Sequence, residues 1–240
     1  MSQTWVVLND IQIPFQDRKV LSLVLSFVGD LNPDGVVLNG DITDCYPISD
    51  FVRSPGSHSD IMVEVRESQK LMTSLKDVSK KIWAGGNHED RMRRYQWKRI
   101  PDLAKHPNLT FDALFHMADY GFSWLEYGES VQLGKLMVTH GHLVSKHSAW
   151  SGKMTLEQYG TSVMVGHTHR LGVHYKRDIR GVHGAWENGC LCRLDPEYVR
   201  HPNWQQGFSV VHVEPNGFYS VQQIPILPGP SFMYGKDRIR

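Results

Sequence analysis

The stretch VVLNDIQIPF, residues 6–15, is apolar and β-branched at its start, stops at Asn9 and Asp10, and places Gln12 just before the turn residue Pro14. A short run that is apolar throughout predicts a strand buried on both faces, here ending at a carboxylate. Four more segments repeat the plan: DGVVLNGD (34–41), KIWAGGNHED (81–90), KLMVTHGH (135–142) and TSVMVGHTH (161–169). Between them lie stretches of helical spacing, at 18–29, at 59–78, and at 147–160 with Gly160 as its C-cap. Strand alternates with helix, so this part of the chain reads as α/β.

From about residue 170 the texture changes. LGVHYKR (171–177), GVHGAWENG (181–189), GFSVVHVE (207–214) and GFYSVQQIPI (217–226) are strands separated by Gly, Asn and Pro turns. We expect a single domain over 1–225 and an extended C-terminal tail over 226–240, where two prolines and two glycines leave no periodic apolar face. Two stretches fit the alternation poorly. Residues 43–60 form a long loop of turn-favouring residues, and 91–120 form a basic, aromatic helical insertion; long segments of this kind serve as lids or binding loops.

Composition narrows the classes. The chain has 240 residues, 40% hydrophobic, and 26 basic against 25 acidic side chains, so no global field makes nucleic acid or an anionic membrane an obligatory partner. No apolar run is long enough to span a bilayer, and the first residues lack the pattern of a secretory leader. Three cysteines, including the close pair Cys190 and Cys192, do not make a secreted disulfide framework; a reduced, cytoplasmic setting is expected. For that pair the expected role is structural, by alternation along a strand.

Thirteen histidines are present and some cluster, in THGH (139–142) and GHTH (166–169). Each of the five strands ends in metal-binding residue types: Asp10 and Gln12, Asp41 with Asp44, Asn87 and His88, His140 and His142, His167 and His169. Ligands in α/β folds sit beyond the carboxyl ends of strands, so these ends should converge on one cleft. Carboxylate, amide and imidazole donors together suit Mn, Zn or Fe. Their number is too high for one tetrahedral ion and suits two ions sharing a carboxylate, an arrangement that recurs in phosphoester hydrolysis.

The blocks DIQ (10–12), GDITD (40–44), GNHED (86–90), THGH and GHTH resemble, in order and approximate spacing, the motifs of calcineurin-like metallophosphoesterases. The resemblance implies a two-sheet β-sandwich flanked by helices, and roles for particular residues. Asp10, Gln12, Asp41 and His169 would hold a first metal. Asp41, Asn87, His140 and His167 would hold a second, and a hydroxide between the ions would attack phosphorus in line. His88, oriented by Asp44, would stabilise the phosphoryl oxygen or protonate the leaving group. Gln12 stands where the family pattern has histidine, either as a direct ligand or as a contact to bound water; the weaker, harder amide donor favours Mn²⁺, with Mg²⁺, Fe or Zn²⁺ as alternatives. Cys45 and Tyr46 follow Asp44 where the serine/threonine phosphatase branch has Arg-Gly, which argues against that branch.

The remaining branches act on phosphodiesters, nucleotide pyrophosphates, small monoesters or nucleic-acid ends. The resemblance with glutamine in the first block favours a phosphodiester or nucleotide pyrophosphate, the alternatives being a nuclease or nucleic-acid end-processing phosphatase, or a catalytically weak binding protein on the same fold. The run RMRRYQWKR (91–99) is either a solvated helix face or a phosphate or nucleic-acid contact led by Arg91. His142 is a further substrate candidate, and His147, Trp150, Tyr46, Phe51 and Arg53 are candidates for the rim.

Overall fold

The computed structural model describes residues 1–50, 60–196 and 200–240. The opening run forms strand β1 (Gln3–Leu8), and its alternation decides the architecture. Val6 and Leu8 point into one hydrophobic cluster, while Trp5 and Val7 point into another. Both faces of the sheet are therefore covered.

β1 pairs in parallel with β2 (Gly35–Asn39), which pairs with β3 (Lys80–Ala84), which pairs with β4 (Phe122–Leu125). The helices α1 (Arg18–Leu31) and α2 (Ile61–Ser74) connect the first three strands, as parallel pairing requires a crossover. Asp17 caps α1 by accepting from the amides of Lys19 and Val20, and Asp60 caps α2 through Met62. After α3 (Asp90–Arg99) and α4 (Phe111–Leu114), a second sheet begins: β5 (Val131–Leu133), β6 (Leu136–Thr139), α5 (Trp150–Tyr159), β7 (Val163–Val165), β8 (Leu171–Asp178) and β9 (Gly181–Asn188), in spatial order β5-β6-β7-β9-β8. β10 (Gly207–Val213) and β11 (Tyr219–Pro225) then return antiparallel to the first sheet, beside β1.

The sheets pack face to face through Trp5, Val7, Val37 and Val211 on one side and Val138, Met164 and Trp186 on the other. Helices α1 and α2 cover the outer face of the first sheet, and Leu156 of α5 covers the second. The four-layer sandwich expected from the sequence is the observed fold. Its five strands of interest, however, divide between two sheets: β1, β2 and β3 in one, β6 and β7 in the other.

Two segments differ from expectation. Residues 226–240 are not an extended tail but carry a hairpin of β12 (Phe232–Tyr234) and β13 (Asp237–Ile239). Phe232 is fully buried against Phe27 and Phe208, and Tyr234 meets Phe27 edge-on; the missing periodicity reflects three-residue strands, too short to show one. In the insertion, Phe111 stacks between Phe115 and Trp124 while Trp83 meets them edge-on, so the back of the expected lid is part of the core.

Candidate metal centre

The loops after β1 and β2 continue to pair beyond the strands. The amides of Asp10, Gln12 and Ile13 donate to the carbonyls of Gly40, Asp41 and Ile42, which brings Asp10 and Asp41 to one level. Asp10, Gln12, Asp41, His167 and His169 all have positive φ, between 50° and 66°. Such conformations are uncommon outside glycine and persist where surrounding structure enforces them, so the concentration of five at the ends of β1, β2 and β7 marks a functional region. Close packing has the same origin: a Cβ at Gly40 would enter the His140 ring, and one at Gly86 would enter Asp41.

Two clusters of donors result. In the first, Asp10 Oδ1 lies 3.0 Å from His169 Nε2, and the Gln12 amide lies 3.1 Å from the same nitrogen. A half-turn of that amide exchanges its nitrogen for its oxygen at the same place. Asp10 Oδ2 accepts from Asn9 Nδ2 at 2.6 Å and from the His167 amide at 3.0 Å. Oδ1, by contrast, is buried and has no aligned hydrogen donor, His169 being near but poorly directed. An orphaned carboxylate oxygen facing an imidazole and an amide is a fitting place for a cation.

In the second cluster, Asp41 Oδ2 and Asn87 Oδ1 each lie 3.2 Å from His140 Nε2. His140 Nδ1 donates to the Asn39 carbonyl at 2.9 Å, which fixes the ring and turns Nε2 inward. Donor atoms of Asp41, His140 and His167 fall within 4.8 Å of one another.

The electrostatics agree with cation binding. Burial alone would lower the pKa of His140, but the charge of Asp41 raises it to about 9; His169 is likewise raised well above the usual range, against burial, chiefly by Asp10. Burial raises Asp41, yet His140 and then His88 hold it below the ordinary carboxylate range. His167 goes the other way, lowered by burial and by the charge of His140. The clusters thus carry negative charge that is satisfied either by protons on imidazoles or by metal ions.

His88 stands beside the second cluster. Its amide donates to Asp41 Oδ1 at 2.9 Å, Nδ1 lies 3.3 Å from Asp44 Oδ2, and Nε2 lies 3.6 Å from Asp41 Oδ2. Arg91 comes to the site as well, but its guanidinium is engaged: Nη1 donates to the Asp44 carboxylate at 2.7 Å and to the Asp44 carbonyl at 2.6 Å, and Nη2 lies 3.1 Å from His88 Nε2. It steadies Asp44 rather than projecting freely. His142 is exposed after β6, and among the described residues none bonds to it. His147 and Trp150 pair with each other, Tyr46 packs on Phe15, and Phe51 and Arg53 lie outside the described residues.

Four supporting residues had no assigned role. Glu89 gathers the amides of Asp41, Ile42, Thr43 and Gly86 onto one buried carboxylate, whose pKa burial and then Asp41 raise. Glu64 accepts from the amides of Cys45 and Tyr46. Its signal was in the sequence, because it shares the apolar stripe of α2 with Ser68, Leu71 and Met72. Asn9 and Asn188 form a buried relay behind Asp10.

Cys190 and Cys192 lie beyond β9, at isolated bridges to Gln206 and Gln16, on one side of the chain with Leu191 on the other. They come together with His169, on which Trp204 packs 4.1 Å away between ring centroids.

A two-sheet sandwich presenting carboxylate, carboxamide and imidazole donors from strand ends defines a metal-dependent phosphoesterase. The sequence matches the calcineurin-like phosphoesterase description over residues 4–213, and the chain belongs to that family. It is 32% identical to the gene 54 protein of Mycobacterium phage D29, covering 95% of this chain and 96% of the relative. The phage L5 gene 54 protein is 30% identical over the same shares. In fold it resembles a Vps29 variant from Entamoeba histolytica, with a TM-score of 0.51 at 13% identity over 95% of this chain and 94% of that one. Among the described residues no helix is long and apolar enough to cross a membrane.

Proposed function

We propose that the chain hydrolyses a phosphodiester or nucleotide pyrophosphate at a binuclear, manganese-preferring centre in the cytoplasm. The observation that carries this reading is the pair of donor clusters, one around Asp10 and one around Asp41, raised by five strand-end residues with positive φ. Asp10, Gln12 and His169 would hold one ion, Asn87, His140 and His167 the other, and Asp41 both. When bound, such ions polarise the phosphoryl group and make water acidic enough to supply a nucleophile near neutral pH.

The chain's own residues do the rest. Burial and the charge of Arg91 lower the pKa of His88, but Asp41 and Asp44 raise it overall, so the ring would serve as a proton donor to a developing phosphoryl oxygen or leaving group once Arg91 Nη2 releases Nε2. Asp44 stands 3.3 Å from Nδ1, near enough to favour the charged ring though poorly aligned for a hydrogen bond, and Arg91 holds Asp44. The oxygen-rich donor set, with Gln12 in place of an imidazole, supports manganese over zinc. The test is turnover of an aryl phosphodiester by the Mn²⁺-loaded chain, abolished in Asp41→Ala. A metal-loaded protein inert on every phosphate ester sinks this reading.

A second reading, cleavage of nucleic acid, is supported by α3. Arg94 is exposed there beside Tyr95 and Trp97, which are 40% and 58% exposed, and stacking aromatics interleaved with bases suit single strands. It requires oligonucleotide binding that weakens with salt and in Arg94→Ala; binding indifferent to salt counts against it.

A further inference from the structure

Behind the first donor cluster, on the far side of the His169 ring, lies a group of different chemistry. Nε2 of His169 faces Asp10 and Gln12, whereas Nδ1 faces the Cys192 thiol, with Sγ 3.6 Å away. Cys190 completes the group: the donor atoms of all three residues lie within 4.8 Å of one another, and all three residues are buried. We propose that His169 Nδ1, Cys190 Sγ and Cys192 Sγ form a separate site for one thiophilic ion of the Zn²⁺ class.

Chain geometry builds the group. Leu191 turns into the main core, so the cysteines on either side of it face away from that core. Their positions are pinned by backbone bonds: the Cys190 amide donates to the Gln205 carbonyl and the Cys192 amide to the Asp10 carbonyl, each at 3.0 Å. Gln206 Nε2 also donates to the Cys192 carbonyl at 2.9 Å. The donors are thus held before any ion arrives, which limits the ordering cost of binding.

The spacing fits. An ion with sulfur at about 2.3 Å and nitrogen at about 2.0–2.1 Å, in tetrahedral arrangement, holds the two roughly 3.6 Å apart. That is the Cys192–His169 separation. The Gln205 carbonyl oxygen, 3.6 Å from Cys190 Sγ, is a neutral oxygen at the edge of the same group. Two sulfurs and one imidazole select Zn²⁺, Co²⁺ or Cu⁺ over Mn²⁺ or Mg²⁺, opposite to the preference of the oxygen-rich cluster across the ring. An ion on Nδ1 alone fixes the plane of His169 and leaves the ring proton on Nε2; with an ion on each nitrogen the ring would bridge them as an imidazolate, its last proton released to solvent.

The experiment uses the full chain, stripped of metal under reducing conditions and titrated with Co²⁺ alone. The expected result is an intense near-ultraviolet thiolate-to-cobalt band that saturates at one ion per chain and is displaced by Zn²⁺. It disappears in Cys190→Ser and in Cys192→Ser but persists in Asp41→Ala, so its fate is distinguishable from that of the hydrolytic reading. A titration without the band, or a band that survives in the double serine variant, overturns the proposal. Should the variants fail to fold, X-ray absorption of the zinc-loaded wild type decides: sulfur scatterers at about 2.3 Å support the site, and a shell of nitrogen and oxygen alone overturns it.

Discussion

Around Asp41 the donors are held by backbone: four amides converge on Glu89, two more on Glu64, and the His140 ring is fixed by the Asn39 carbonyl. Around Asp10 side chains add to the backbone: Asn9 and Asn188 stand with the His167 amide behind the carboxylate, and Cys192 and Trp204 behind His169. The contrast bears on which positions can vary. Backbone scaffolding fixes where a ligand sits whatever its neighbours are, whereas side-chain scaffolding can be exchanged one residue at a time. The half that departs from the family pattern, with Gln12 in place of histidine, is the half that relies more on side chains.

The largest effect tests what the two halves share. Asp41→Ala removes a carboxylate from the centre of the arrangement, and we expect loss of all detectable turnover together with loss of manganese from the Mn²⁺-loaded chain, measured by elemental analysis. Retention of both ions would mean that Asp41 is not common to the two clusters. Within the Asp41 half, His88→Asn should lower kcat by about 10²–10⁴-fold at unchanged metal content. Unchanged kcat would remove His88 from the chemistry and leave it a structural neighbour of Asp44.

On the Asp10 side, Gln12→His should strengthen binding of the first ion about tenfold or more and move preference from manganese towards zinc or iron, as imidazole is the softer and stronger donor. Competition titrations against a chelator measure both. Identical affinity and preference would place Gln12 outside the coordination sphere, as a contact to water.

How much of this was legible in the sequence also divides along the comparison. The ligand types at strand ends were readable because a buried strand is an apolar run and its end is a fixed point in the fold. Glu89 sat unremarked in a recognisable block, because a carboxylate that gathers backbone amides leaves no periodic trace. The grouping of the cysteines with His169 was not legible for a related reason: Cys190 and His169 are 21 positions apart, and the pairing of the loops after β7 and β9 brings them together. Short strands hid the C-terminal hairpin, since three residues cannot display a period of two. Arg91 was placed correctly near the cleft by proximity to His88, but its pairing with Asp44 depends on a loop contact made 47 residues away.

The smallest effect on catalysis concerns the backbone-scaffolded half. Burial, followed by the charge of Asp44, raises the Glu64 carboxyl from 4.5 to about 8. A carboxyl raised by the fold is one the fold prefers protonated. Below pH about 4.5 both folded and unfolded chains hold that proton, and Glu64 costs nothing; as pH climbs towards about 8 the unfolded chain gains by ionising and stability falls; above that the loss levels off. Glu64→Gln cannot ionise; it keeps an acceptor oxygen for one of the Cys45 and Tyr46 amides, which now use one carboxylate oxygen each, and the other amide loses its acceptor at every pH. Its denaturation midpoint should therefore improve relative to wild type as pH rises from 5 to 8, by about 1–3 kcal/mol, with kcat at neutral pH little changed. Parallel stability curves for the two proteins would show that the amides of Cys45 and Tyr46 keep Glu64 ionised. The loop carrying Asp44 would then be anchored by an ionised side chain rather than a neutral one, and the account of that half would fail at that point.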